Sequence, residues 1–246
     1  MIPIQNAVST RYPPVVTWTL IAANCAIFLF QIGLTPIELE KFLFRYALIP
    51  ARYFAPLPYR DVDLTLIDYL PFLSNAFLHE GWLHLILNMW TLWLFGSAVE
   101  DRLGPSRYLA FYTLCGIFAS FTHAVFNPLS TIPALGASGA IAGVLGCYVF
   151  LFPFARVIVL VPVLLLPLFF PVPAILFVGF WFLMQLLQGT AALFNPSMGG
   201  GVAWWAHIGG FVAGLMLAPL LQRSKRVYRA HYPDEGILGF DPGGRR

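Results

Sequence analysis

Ser138 and His207 are two residues in this 246-residue chain whose types could together do nucleophilic chemistry. A serine hydroxyl is a poor nucleophile at neutral pH and gains reactivity from a base within hydrogen-bond reach. Ser138 sits in Leu135-Gly136-Ala137-Ser138-Gly139-Ala140-Ile141-Ala142-Gly143, a run of small residues that opens an apolar segment. His207 sits in Ala206-His207-Ile208-Gly209-Gly210-Phe211-Val212-Ala213-Gly214. Gly139/Gly143 and Gly210/Gly214 are small-xxx-small pairs, which allow close helix approach in lipid and could bring Oγ to the imidazole. His84 and Asn88, spaced i and i+4, share one helix face. Together with the Ser138 N–H at a helix start, they could stabilise developing negative charge as an oxyanion hole. Each feature has a plainer alternative: Ser138 as a packing residue, the His84/Asn88 pair as an interhelical clamp, His207 as a satisfied buried histidine.

None of the eleven Asp and Glu residues falls inside an apolar segment near this level, so the arrangement reads as a dyad rather than a triad. Gly136-x-Ser138-Gly139 is not the hydrolase elbow, because Ala140 fills its last position and no strand precedes it. His79 lies just outside the second apolar segment, near the same region, and His123 is assigned no role. Cys25, Cys115 and Cys147 all lie in apolar runs and read as buried hydrophobes, with no disulfide framework and no metal-ligand spacing.

The elements that must position these residues are membrane spans. Hydrophobic residues make up 59% of the chain and charged residues 10%, against about 25% charged in soluble domains. A net charge of +3, with no broad basic surface, argues against nucleic-acid binding. Six spans are predicted, at about Val15–Gly33, Trp82–Val99, Tyr108–Phe126, Ser138–Phe152, Ala174–Leu193 and Ala203–Leu221. Asn24, in the first, reads as interhelical glue. Leu34 to Gly81 reads as a long folded loop lying on or partly in the outer leaflet. Phe154 to Pro173 is apolar, but its prolines argue against a continuous helix and for an irregular or extended lead-in to the fifth span. A Gly-rich loop, Asn195 to Gly201, precedes the sixth. The domain reading is a cytoplasmic segment over 1–14, a membrane domain over 15–222 and a basic, partly disordered cytoplasmic tail over 223–246. With six spans, ten basic residues fall on the side of both termini and four on the other, which makes the termini cytoplasmic. His84, Asn88, Ser138 and His207 then all lie near the outer ends of the second, fourth and sixth spans. That shared depth points to one site.

The three motifs, His84-x-x-x-Asn88, Gly136-x-Ser138-Gly139 and Ala206-His207-x-x-Gly210-x-x-x-Gly214, together resemble the rhomboid family of intramembrane serine proteases in its bacterial six-span form. Glu100-Asp101-Arg102-Leu103-Gly104, after the second span, fits the family as well, and the resemblance runs from about Trp18 to Leu221. It implies an all-α, six-helix bundle with a long, partly membrane-embedded first loop. It also implies hydrolysis of a peptide bond in a transmembrane protein substrate, without metal or cofactor. Ser138 would be the nucleophile, His207 the general base and then acid, and His84, Asn88 and the Ser138 N–H the oxyanion hole. The resemblance further implies that the fifth span and the loop Asn195 to Trp205 gate the substrate; position alone in the fifth span puts Phe180, Trp181 and Gln185 near that gate. Gln185 and Gln188 also read as ordinary interhelical contacts. A bacterial inner membrane, with the site opening to the outer face, is the expected location. Two further readings compete: a rhomboid-like protein that binds transmembrane partners without cleaving them, and a transporter or channel. A transporter should show internal repeats or a midplane site, and neither is seen.

Overall fold

The structure is a computed structural model describing residues 2–58, 61, 63–163, 166–194 and 202–222. The Gly-rich loop Asn195 to Gly201 and the basic tail lie outside the described residues. Seven helices carry the fold: α1 (Val15–Ile32), α2 (Pro36–Tyr46), α3 (Trp82–Leu103), α4 (Pro105–Phe126), α5 (Ser138–Leu151), α6 (Ala174–Phe194) and α7 (Trp204–Leu221). Three strands join them: β1 (Ile2–Asn6), β2 (Arg156–Val163) and β3 (Leu166–Pro173).

Of the six expected spans, five (α1, α3, α4, α6 and α7) are long and apolar enough to cross a bilayer. The sixth, α5, is apolar but has only 14 residues, about 21 Å of helix. Its burial accounts for this. Every residue from Gly139 to Tyr148 is buried, so α5 is the hub of the bundle and does not have to match a lipid thickness on its own surface. Glycines make that packing possible. A Cβ at Gly210 would overlap the carbonyl oxygen of Gly139, and one at Gly214 would overlap that of Gly143. Beyond this expected seam, Gly146 abuts the Phe211 carbonyl and Gly209 abuts Thr122.

The N-terminus of α1 is held by α3. Glu100 accepts from the Val16 and Thr17 N–H groups at 2.8 Å each and from the Thr17 hydroxyl at 2.7 Å, while Asp101 accepts from the N–H groups of Arg11 and Tyr12. A helix start has unpaired N–H groups and a positive dipole end, so a carboxylate is the fitting partner. Asn24 makes no interhelical bond among the described residues. Its amide nitrogen donates back to the Leu20 carbonyl at 2.8 Å within α1.

The first loop is folded. A Thr35/Glu38 capping box starts α2, which exposes Ile37 and Phe44, apolar surface suited to a membrane interface. Arg52 pairs with Asp61 at 2.9 Å and Asp68 at 3.8 Å. Leu48 exchanges both main-chain hydrogen bonds with Ala134, the Asn75 carbonyl accepts from the Gly136 N–H at 2.9 Å, and the Asn75 amide donates to Ser120 on α4. The loop thereby fixes the backbone that leads into Ser138.

The proline-rich stretch is more regular than its composition suggests. It forms an antiparallel hairpin of β2 and β3, and β1 pairs with β2 to complete a three-stranded sheet in the order β1-β2-β3. The sheet stands beside α3: the Trp90 indole donates to the Pro3 carbonyl at 2.7 Å, and the Asn6 amide donates to the Leu94 carbonyl. Trp90 is about 20 Å along the helix axis from Leu103, so β1 reaches the middle of that span. Val157 and Val159 on β2 are fully buried in the core. The Arg156 carbonyl accepts from the Ala7 N–H, so even-numbered residues of β2 turn their main-chain groups toward β1. The register with β3 then puts the main-chain nitrogens of 167, 169, 171 and 173 on the sheet's free edge. Three of those four are prolines, which have no N–H.

Candidate active site

Ser138 is the first residue of α5, so its N–H has no intrahelical acceptor. Gly136 precedes it with φ of +129°, a conformation that L side chains rarely adopt, and a Cβ there would lie 2.8 Å from the His84 ring. The turn into α5 therefore uses glycine both for its backbone angle and to admit His84.

His207 is in the first turn of α7. Its Nε2 lies 2.8 Å from Ser138 Oγ. The glycine seam between α5 and α7 sets that distance, because Gly139, next to Ser138, and Gly210, one turn after His207, bring the two backbones into contact. The imidazole is flanked by Trp181, with ring centroids 5.9 Å apart, and by the edge of Trp204 at 6.3 Å.

Gln185, on α6, has its Oε1 2.8 Å from His207 Nδ1. The sequence left Gln185 between a gate position and an ordinary interhelical contact; the structure places it on the far nitrogen of the imidazole. Its sequence signal is an amide in an apolar span, which Gln188 in the same span shares. Phe180, on the neighbouring position, is half exposed, and Trp181 lies against His207.

His84 and Asn88 share one face of α3, as their spacing requires. Asn88 is buried, and its Nδ2 has no hydrogen-bond partner among the described residues. A buried amide donor without an acceptor is costly, and such groups often have a functional reason. His79 lies in the link before α3, with its ring edge-on to His84 at a centroid distance of 5.1 Å. Burial, with a lesser contribution from His84, pushes the His79 imidazole down to about 4. The Gln31 side chain clamps the main chain of His79, accepting from its N–H at 3.1 Å and donating to its carbonyl at 3.3 Å.

Beside Ser138 is a cavity of about 20 Å³, polar on the sides formed by Asn75, Ser120 and His123. That is room for one water molecule. His123, which the sequence left without a role, is thus part of the wall next to Ser138. Among the described residues no cluster of His, Cys, Asp and Glu has the makings of a metal site. The arrangement combines a hydroxyl, a base bonded to it, an amide on the far nitrogen of that base and an unpaired donor. Those are the parts needed for acyl transfer to serine.

The sequence matches the Rhomboid domain over residues 68–224. It is 29% identical over 212 residues to Rhomboid protein 1, mitochondrial, of Saccharomyces cerevisiae, an alignment covering 83% of this chain and 53% of the yeast protein. It is 37% identical over 98 residues to Presenilin-associated rhomboid-like protein A, mitochondrial, of Danio rerio, covering 39% of this chain and 26% of that one. It is 42% identical over 78 residues to Rhomboid protease GluP of Bacillus subtilis, covering 32% and 15%. The chain thus spans about half the length of its yeast relative and less of the other two. These relatives are mitochondrial as well as bacterial. They support a multi-pass membrane protein and do not support the bacterial inner membrane in particular.

Proposed function

Because this chain belongs to the rhomboid family, we propose that it is an intramembrane serine endopeptidase that cuts a peptide bond in or near a transmembrane segment of a membrane-protein substrate. The observation that carries this is the 2.8 Å approach of His207 Nε2 to Ser138 Oγ at the start of a buried helix. In the first half-reaction Oγ attacks the scissile carbonyl carbon while its proton passes to Nε2. The carbonyl electrons move onto oxygen, where the Asn88 amide, His84 and the Ser138 N–H supply donors. Collapse of this intermediate breaks the C–N bond, and His207 returns the proton to the leaving amine. An acyl ester then remains on Ser138. A water molecule of the kind the adjacent cavity admits gives its proton to His207 and adds to the ester carbonyl. Collapse releases the new carboxyl end and returns the proton to Oγ.

The membrane domain takes in residues 15–222, and β1, which precedes it, folds back along the middle of α3; both termini lie on the side that carries more basic residues, with the Ser138 end of α5 toward the opposite face. The test is cleavage of a fluorescent single-span substrate by the purified protein in liposomes, alongside Ser138→Ala and His207→Ala. Wild type cuts, and each variant loses on the order of 10⁴-fold or more in rate while remaining folded. Equal activity in all three would remove Ser138 from the mechanism.

A further inference from the structure

We propose that Gln185 is a positioning residue that sets the tautomer and the ring angle of His207, the task a carboxylate performs in a three-residue relay. The inference deepens the protease reading and rests on it.

The orientation of the amide follows from its two contacts. Gln185 Nε2 lies 3.1 Å from the carbonyl oxygen of Trp181, one turn earlier on α6. A carbonyl oxygen only accepts, so the end that meets it is the NH2 group. The opposite end, Oε1, then faces His207 Nδ1 at 2.8 Å, and it too only accepts. Nδ1 must therefore carry the ring proton. In a neutral imidazole this leaves Nε2 with its lone pair free, and Nε2 is the nitrogen 2.8 Å from Ser138 Oγ. The hydroxyl can donate only to a nitrogen in that state. The polar chain thus runs in one direction, from Ser138 O–H to His207, on to Gln185 and finally to the Trp181 main chain.

Gln185 is held for this task. Its side chain is buried, and it is one of four buried positions on α6, with Ala174, Val178 and Gly189. A flip of the amide would set its oxygen against the Trp181 carbonyl, two acceptors face to face, and would turn NH2 toward Nδ1, which could take that bond only by giving up its proton. The bond also links α6 to α7. Any displacement of α6 away from α7 would then release the tautomer as well as the ring.

An amide differs from a carboxylate in one respect that can be measured. It fixes the proton on Nδ1 without giving the imidazolium a full negative charge. The titratable side chains facing His207 from the elements packed on it are His84 on α3 and His123 on α4, both histidines, so among the described residues no carboxylate already supplies that charge. Replacing the amide with a carboxylate should raise the basicity of His207.

The experiment uses the full chain in liposomes and compares wild type, Gln185→Leu, Gln185→Glu and Ser138→Ala. Three quantities are read: kcat and KM on the single-span substrate, the pH profile of kcat, and the ¹⁵N shifts of His207. We expect Gln185→Leu to lower kcat on the order of 100-fold with KM within a few-fold, and to replace the pure Nδ1–H signature with a mixture of tautomers. Gln185→Glu should keep the Nδ1–H tautomer and most of kcat while moving the acidic limb of the profile to higher pH. The direction follows because the base works only when neutral, and a nearby anion keeps it protonated to higher pH. A merely structural Gln185 would move neither the limb nor the tautomer. If Gln185→Leu cleaves as wild type does with an unchanged profile, or if Gln185→Glu leaves the limb in place, the positioning role is overturned while the protease reading stands on Ser138→Ala. If wild type neither cleaves nor reacts with a fluorophosphonate at Ser138, the protease reading itself fails, and this one with it. Should Gln185→Leu fail to fold, Gln185→Glu alone decides through the acidic limb.

Discussion

Gly210 packs so closely on Gly139 that a Cβ added to it would overlap the Gly139 carbonyl oxygen. The partner atom is main chain, which cannot swing aside as a long side chain does. The same contact lies beside Ser138 and one turn after His207. Whatever parts α5 from α7 therefore also parts the hydroxyl from its base.

The Gly210→Ala substitution should cost about 1–3 kcal/mol of stability or more, the usual range for forcing a methyl group into a packed interior, and abolish cleavage with it. Gly179→Ala is the matched control. It is also a glycine in a spanning helix, but a Cβ there meets nothing within 4 Å. Thermal unfolding in detergent, with cleavage measured on the same samples, should show a lowered midpoint and no activity for Gly210→Ala. Gly179→Ala should be unchanged in both.

Asn88→Ala should act on the rate rather than the fold. Its Nδ2 is buried without an acceptor among the described residues, so deleting it removes no ground-state hydrogen bond. A donor engaged only by the developing oxyanion is worth about 10²–10³ in kcat. Steady-state kinetics should give that loss with KM nearly constant and thermal stability unchanged or higher. A large fall in stability would instead assign Asn88 to the packing of α3.

The protein should lose stability on mild acidification, and His79 should account for part of it. Its imidazole is held down to about 4 by burial, against an ordinary value of 6.5. Between those two values the unfolded chain binds the proton and the folded chain does not. Stability is therefore full above pH 6.5 and falls as pH drops from 6.5 toward 4. Denaturation midpoints measured at steps through that window should decline. A folded His79→Phe variant should show a shallower decline.

Glu100→Gln should loosen the N-terminus of α1 without touching the chemistry. The carboxylate takes hydrogen bonds from Val16 N–H, Thr17 N–H and the Thr17 hydroxyl at once, which an amide cannot fully replace. A loss of about 1.5–3 kcal/mol is expected for weakening charge-assisted bonds of this kind. Hydrogen exchange at Val16 and Thr17 should accelerate, while fluorophosphonate labelling of Ser138 in the folded fraction is retained.

Much of this architecture is legible in the sequence because lipid leaves few choices. Span-length apolar runs mark helices, and the paired glycines mark which of them touch. A shared depth for His84, Asn88, Ser138 and His207 follows from counting spans. The sheet is less legible. Prolines at 162, 167, 171 and 173 exclude a helix, but the residue pattern alone does not say that they fall on alternate positions of paired strands, with three on an open edge. Nor does Ile2–Asn6 carry any local sign that it pairs with a segment about 150 residues later. Gln185 was ambiguous for a similar reason. A buried amide looks the same in sequence whether it bonds a histidine, a backbone or another helix, and only the geometry across α6 and α7 separates these cases.

The proline-bearing edge of β3 has a consequence for how this protein tolerates crowding. An open row of N–H and C=O groups invites a strand from a neighbouring molecule, and strand-to-strand joining of this kind seeds aggregates. On β3 only Phe169 retains an outward donor among the four positions that would supply them. A visiting strand would find carbonyls but almost no partners for its own. The hairpin can therefore stand beside the helices at high density without recruiting a second copy.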